Sequence, residues 1–287
     1  MEKVQMMNRI KMIGLDLDGT LLNNNKELTP RTINALEQAM QQGIEIVIAT
    51  GRPITGVPKN LLEFPGIQYV VSSNGGRVID QYSQELLYEC PVPYETAYRI
   101  LKIVKEYDTL CEIYFDGKGY VQKDELEKVT HYLRNPAMAN YILTTREGID
   151  SVWDKMEAMK GHGLDKVHAI FADERELEEA RVRVSKSEDV IISGSLGNNL
   201  EMNAPGVHKG IALLRLGEKL GITREEIMAF GDGDNDIEML KAAGVGVAMM
   251  NASEEVKAAA DLVTESNEED GVAQAIERIV LREYKGE

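Results

Sequence analysis

With 287 residues the chain has material for one large or two moderate domains, and two is the expectation. A formal charge of −16 excludes a nucleic-acid backbone or an anionic membrane surface as partner, because both require a basic face. A small anionic substrate is compatible only with local positive charge from a bound cation or a well-placed lysine. No apolar run reaches the roughly 18 residues of a spanning helix, and Met1 to Asn8, with its acid and without a long apolar stretch, is not expected to act as a signal peptide. The two cysteines, Cys90 and Cys111, lack CxxC spacing and imply reduced thiols in a cytoplasm.

In chain order, Ile10 to Leu15 is an apolar run expected as a strand covered on both faces of a parallel sheet, ending in Asp16-Leu17-Asp18-Gly19-Thr20. Two apart on an extended backbone, Asp16 and Asp18 should point the same way, although a bare Asp-Gly pair also serves as a simple turn signal. Thr29-Pro30 reads as an N-cap and first helical residue, and the helix that follows, with Ile33, Leu36 and Met40 on one face, stops at Gly43. The strand Ile44 to Ala49 then delivers Thr50-Gly51-Arg52 to the same sheet edge, as a right-handed parallel crossover requires. A third strand, Tyr69 to Val71, ends in Ser72 to Gly76. Arg77 to Asp80 and Glu85 to Tyr88 suit a hairpin.

From Cys90 to Asn198 the character changes. Helix-like stretches (94–106, 124–133, 174–184) alternate with strand-like ones (112–115, 119–122, 166–171, 190–193), which is enough for a separate α+β unit inserted between two halves of a first domain, 1–89 and 199–287. The βαβ rhythm resumes at His208-Lys209-Gly210 with a helix stopped by Gly221. Thr223 and Glu226 form a capping-box pattern before the strand Ile227 to Phe230. That strand delivers a second acidic cluster, Gly231-Asp232-Gly233-Asp234-Asn235-Asp236. A helix Ile237 to Ala243, a strand Val245 to Met249, a short helix after Ser253 and a helix from Gly271 to Tyr284 complete the domain.

Asp16, Asp18, Thr50, the Lys209 turn, Asp232, Asn235 and Asp236 are thus expected at one edge, where ligands of open α/β sheets bind. Hard carboxylate oxygens suit Mg²⁺, which rarely sits in an all-protein cage. A threonine hydroxyl, a backbone N–H, an ammonium and an asparagine amide suit the oxygens of a phosphate. An aspartate beside the metal can attack phosphorus and form an aspartyl-phosphate that water hydrolyses. The second acidic cluster only partly imitates an EF-hand: Ile237 stands where glycine is needed and Ala243 where the bidentate glutamate belongs. Asp236 likewise occupies the third glycine position of a dinucleotide fingerprint. The histidines 131, 162, 168 and 208 show no metal spacing, and Tyr114, Tyr120 and Arg134 are expected to pack or face solvent rather than read a ligand. Asn74 is either a turn residue or a substrate contact, and Arg52 either an internal ion pair or a substrate contact.

These four motifs, Asp16-Leu17-Asp18-Gly19-Thr20-Leu21-Leu22, Thr50-Gly51-Arg52-Pro53, Lys209-Gly210 and Gly231 to Asp236, resemble those of the haloacid dehalogenase superfamily, specifically its Cof-type sugar-phosphate phosphatases. The resemblance spans nearly the whole chain. It implies a Rossmann-like parallel-sheet core with the 90–198 segment as an inserted cap that closes over a small phosphorylated metabolite. It further implies Asp16 as nucleophile and metal ligand, Asp18 as general acid/base that also ligates the metal through its carbonyl, and Asp232 as the remaining ligand. Leu17, Thr50, Gly51, Lys209 and Asn235 would hold the phosphoryl group, with Asp236 supporting the metal or Lys209. The intact second acid Asp18 points to a phosphatase over a dehalogenase. A phosphomutase with the same nucleophile and a non-catalytic metabolite sensor are the rival readings.

Overall fold

The structure, a computed structural model, describes residues 10–194 and 197–281. The N-terminal residues 1–8 and the expected end of the last helix at Tyr284 lie outside them. Fourteen strands are described: β1 (Met12–Leu15), β2 (Glu45–Ala49), β3 (Tyr69–Ser72), β4 (Arg77–Asp80), β5 (Glu85–Glu89), β6 (Thr109–Phe115), β7 (Lys118–Gln122), β8 (Arg146–Ile149), β9 (Lys166–Phe171), β10 (Ile191–Ser193), β11 (Asn199–Asn203), β12 (Ile227–Gly231), β13 (Val245–Ala248) and β14 (Leu262–Val263). They form an eight-stranded sheet, β14-β13-β12-β1-β2-β3-β4-β5, and a six-stranded sheet, β10-β11-β9-β6-β7-β8. The chain divides accordingly into two compact units, one containing Lys59–Tyr88 and the residues before Arg52 and after Val207, the other Arg52–Pro58 and Glu89–Val207.

In the first unit β14, β13, β12, β1, β2 and β3 run parallel, and β4 turns back antiparallel to β3. β1 lies inside the sheet, and its Met12, Ile13 and Leu15 are fully buried, which explains why it reads as a continuous apolar run. Leu15 pairs with Phe230 on one side and Ile48 on the other, so β12, β1 and β2 end level. That register aligns the residues that follow: the Asp16 N–H donates to the Phe230 carbonyl (3.1 Å), and Thr50 N–H to Val71 (2.9 Å). The helix Pro30–Gln41 begins as its sequence dictates, with Thr29 accepting from the Thr32 N–H at 3.1 Å and Pro30 at the first position. The Thr223 and Glu226 capping box is present, although it caps a single 3₁₀ turn.

The helix Lys209–Leu220 lies against β1. A Cβ added to Gly14 would come within 2.4 Å of Leu213 Cδ1, so the missing side chain sets how closely helix and strand approach. Leu213, Met12, Val47 and Ala229 share one buried cluster there.

The second unit corrects the boundary expected at residue 198. β11 pairs antiparallel with β9, and its Leu200 and Met202 are fully buried in the second unit's core beside Val167 and Ala169. The strand therefore completes the second sheet, and the first unit resumes at His208. Arg52–Pro58 also belongs to the second unit: Thr55 N–H donates to Gly117 (3.4 Å), and the Arg52 guanidinium lies 4.5 Å from the Tyr141 ring centroid. The helix expected over 124–133 is two short ones, Lys123–Leu126 and Val129–Tyr132, broken where Lys128 leaves helical geometry (φ −100°, ψ 18°). No helix among the described residues is long and apolar enough to cross a membrane.

The helix–strand contact carries a direct consequence. Gly14→Val should lower the unfolding free energy by about 1–3 kcal/mol through overpacking against Leu213, read as a reduced midpoint in urea denaturation; an unchanged midpoint contradicts this packing.

Candidate active site

Beyond β1 the chain does not stay extended. It turns at Leu17, with the Leu21 N–H donating to the Asp16 carbonyl (3.2 Å) and Leu22 N–H to that of Leu17 (2.9 Å). Gly19 has φ +85°, and a Cβ there would meet Asp232 Oδ2 at 2.2 Å, so only glycine lets this loop pass the second acidic cluster. The strand therefore does not continue through Asp16 and Asp18, and the two carboxylates sit in different surroundings. Asp16 is buried, whereas the Asp18 side chain is 39% exposed and pairs with Lys26 at 2.8 Å.

Lys209 enters from a different direction than expected. It is preceded by a strand of the other sheet rather than one of its own, and it opens the helix Lys209–Leu220, capped by His208 Nδ1 accepting from the Ile211 N–H (3.2 Å). Its ammonium, fully buried, donates to Asp16 Oδ1 (2.6 Å) and Asp236 Oδ1 (2.7 Å). Asp236 Oδ2 in turn accepts from the N–H groups of Asp232 and Gly233, both at 3.0 Å. Thr20 Oγ1 donates to Asp232 Oδ1 (2.8 Å).

A strained turn supplies the next side. Ser73 (φ +52°), Asn74 (φ +61°) and Gly75 (φ +99°) are all left-handed, and a Cβ on Gly75 would lie 2.4 Å from the His208 carbonyl. The turn brings Asn74 Oδ1 to accept from Asn235 Nδ2 (3.1 Å), and a Cβ on Gly51 would stand 2.7 Å from that same oxygen. Asn74 is thus a buried positioning contact for Asn235, beside Thr50 and Gly51. Arg52, one residue on, belongs to the second unit, where its Nη1 donates to the Gly56 carbonyl (3.0 Å).

Ligand oxygens of Asp16, Asp232 and Asp236 lie within 4.8 Å of one another. Burial, with Asp236 close by, raises Asp16 to about 8, and burial raises Asp232 to about 6. Burial opposes the Lys209 charge as well, yet Asp16 and Asp236 hold its ammonium above the usual lysine range. Three carboxylates and one ammonium leave two formal negative charges, which a divalent cation balances. Asp236 has both oxygens engaged, one by the Lys209 ammonium and one by two backbone N–H groups, and Asp232 has both engaged by neutral donors, Thr20 and Asn251.

Three residues at this edge carried no assignment from sequence: Thr20, Lys26 and Asn251. Asn251 Nδ2 donates to the Gly19 carbonyl (2.9 Å) and Asp232 Oδ2 (3.2 Å), joining the two acidic loops, and its Oδ1 accepts from the Asn267 N–H (3.2 Å). Its signal was its place just past β13, the neighbour of β12 in the sheet.

A profile of the haloacid dehalogenase-like hydrolases matches residues 13–276. The chain belongs to this family. Phosphatase YwpJ of Bacillus subtilis (strain 168) is 32% identical, covering 94% of this chain and 100% of that protein. From the same organism, 5-amino-6-(5-phospho-D-ribitylamino)uracil phosphatase YcsE is 30% identical, covering 95% and 96%. The solved structure of the HAD subclass IIB sugar phosphatase BT4131 superposes with a TM-score of 0.78 at 27% identity, covering 93% and 98%. Within the haloacid dehalogenase superfamily the chain is a Cof-type phosphatase, a hydrolase with the expected α/β parallel-sheet core.

Lys209→Met should leave Asp16 and Asp236 facing each other in a buried place and destabilise the metal-free protein by about 3–5 kcal/mol. Urea denaturation at neutral pH with a chelator present measures it, and a loss below 1 kcal/mol contradicts the role of the ammonium.

Proposed function

We propose that this chain is a Mg²⁺-dependent phosphomonoesterase that hydrolyses small phosphorylated metabolites of the sugar or polyol phosphate class through an aspartyl-phosphate. The observation that carries the reading is the group of three carboxylates around one buried ammonium. Asp16, Asp232 and the Asp18 carbonyl would hold Mg²⁺, which when bound supplies charge neutralisation for the phosphoryl oxygens.

In this reading the Asp16 carboxylate attacks phosphorus in line with the ester oxygen. Asp18, on the more exposed side of the same loop, gives that oxygen its proton and then takes one from the water that hydrolyses the acyl phosphate. Lys209 fixes Asp16 and contributes positive charge to the phosphoryl group, to which the Thr50 hydroxyl, the N–H groups of Leu17 and Gly51 and the Asn235 amide donate. Asn74 sets the Asn235 amide, and Asp236 holds Lys209. The second unit serves as the cap that discriminates between leaving groups. The similarity to YcsE, named for a substrate with a phosphoribityl chain, and to the sugar phosphatase BT4131 supports a hydroxylated leaving group. The free thiols of Cys90 and Cys111 are in keeping with a cytoplasmic enzyme.

Phosphate release from p-nitrophenyl phosphate should require added Mg²⁺, and Asp16→Asn should reduce it to background. Turnover that persists after chelation, or an Asp16→Asn variant near the wild-type rate, overturns the reading; isomer formation from a sugar phosphate without phosphate release makes the enzyme a mutase instead. Asp18→Ala should slow both half-reactions by about 10²–10⁴-fold with Mg²⁺ affinity retained, as rapid-quench kinetics and calorimetry will show. Unaffected half-reactions remove Asp18 from the mechanism.

A further inference from the structure

Histidine is not among the side chains that commonly cap helices. Ser, Thr, Asp and Asn are preferred, and each accepts a bond from the first turn at any pH near neutral; Thr29, Asn135, Ser151 and Asp173 do so in this chain. The helix Lys209–Leu220 departs from them, because its cap is His208, whose Nδ1 accepts from the Ile211 N–H at 3.2 Å. Only an unprotonated Nδ1 has a lone pair to give, so the bond assigns a neutral ring with its proton on Nε2. An imidazolium turns one N–H against another.

The cap stands where two loops of the first unit's sheet edge meet. His208 is extended (φ −156°, ψ 157°), and its carbonyl accepts from the Ala212 N–H (3.4 Å). On one side that carbonyl lies against Gly75, in the strained turn that carries Asn74. On the other, the next residue is Lys209, whose ammonium is shared by Asp16 and Asp236. A Cβ on Gly210 would stand 3.0 Å from His208 Nδ1 and 2.6 Å from the Glu238 carbonyl, so the bare Cα leaves room for the ring beside the helix Ile237–Ala242.

The surroundings oppose a charged ring. His208 is half-buried, the helix N-terminus presents its positive end, and Lys209 follows in the chain. Of the elements packed on this helix, the 3₁₀ turn Asp234–Asp236 brings Asp234 and Asp236, the latter committed to Lys209, and β4 brings Arg77; the turn Ser73–Gly75 and the adjoining end of β3 bring no charge. The helix Ile237–Ala242 brings Glu238, whose Oε1 is engaged by Lys241 (2.9 Å). Burial holds His208 below the ordinary histidine value, with Glu238 acting in the other direction. The unfolded chain therefore takes up the proton first, so the cap's contribution to stability is present above 6.5 and is lost as pH falls from there through the folded value.

We propose that His208 is the positioning residue of Lys209 and makes the site pH-sensitive: its neutral imidazole caps the first turn of the helix that carries the ammonium, and protonation removes that cap. The consequence for turnover rests on the phosphatase reading above; the cap itself does not. Lys209 is the first residue of the capped turn, so uncapping loosens the backbone that sets the ammonium between Asp16 and Asp236, while Leu213 and Leu216 keep the rest of the helix on its core.

The test follows kcat/KM for p-nitrophenyl phosphate at saturating Mg²⁺ from about pH 7.5 to about pH 5 in wild type and in His208→Asn, whose amide oxygen accepts throughout that range. Acid effects on the ester and on the carboxylates are common to both proteins and cancel in the ratio. The wild-type to variant ratio should fall about 3-fold or more on acidification, and in the metal-free proteins the wild-type urea midpoint should fall relative to the variant's. Long-range proton–nitrogen correlation NMR of the metal-free wild type should show the His208 ring, identified through the Ile211 amide, neutral and protonated on Nε2 at the alkaline end. A constant ratio overturns the positioning role, and a ring protonated on Nδ1 at the alkaline end overturns the cap. If the variant does not fold, the tautomer of the wild-type ring and its titration below 6.5 decide. A wild type that hydrolyses no phosphate ester yet shows the neutral ring and the pH-dependent midpoint difference sinks the phosphatase reading and leaves the cap standing.

Discussion

One buried ammonium holds the first unit's sheet edge together. Asp16 and Asp236 are withdrawn from water, and the Lys209 ammonium lies at 2.6 and 2.7 Å from them, a single cation shared by two buried carboxylates. The chain reaches this arrangement through packing. Lys209 is the first residue of a helix that rests on β1, and the bare Cα of Gly14 under Leu213 sets the helix's height above the strand that carries Asp16. Core packing and site chemistry are therefore the same constraint: a methyl group added to β1 bears on the helix that holds the lysine.

The remaining groups are fixed by close approaches that tolerate no side chain. Gly19 slips past the Asp232 carboxylate, Gly75 past the His208 carbonyl and Gly51 past the Asn74 amide. Each contact ties one loop of the edge to another that is distant in sequence. Asn251 adds a direct bond, donating both to the Gly19 carbonyl and to Asp232. Loops anchored in this way fix one another's side chains at the sheet edge.

Much of this was legible in the residues. A both-faces-buried strand reads as an unbroken apolar run, and an acidic loop directly after such a run has one place to go, which is why β1, β2 and β12 and the residues that follow them could be identified. The polar side of the second sheet was not legible. Asn199, Glu201 and Asn203 interrupt β11, and the alternating pattern of a strand with one polar face resembles a loop between domains, so the boundary was expected too early. Asn251 went unseen because an asparagine after a strand has no motif, and its partners Gly19 and Asp232 are joined to it only by the fold. Asp18 shows a different limit. The two-residue spacing from Asp16 was plain, but the turn at Leu17 that separates their environments arises from backbone hydrogen bonds to Asp16 and Leu17.

The two units solve opposite electrostatic problems. In the first, three carboxylates face one ammonium, and on a chain of formal charge −16 that residue of negative charge repels a phosphate dianion until a cation offsets it. In the second, Glu112 and Glu201 are matched by Arg146 and Lys166, so the polar face carries hydrogen-bonding capacity with little net field.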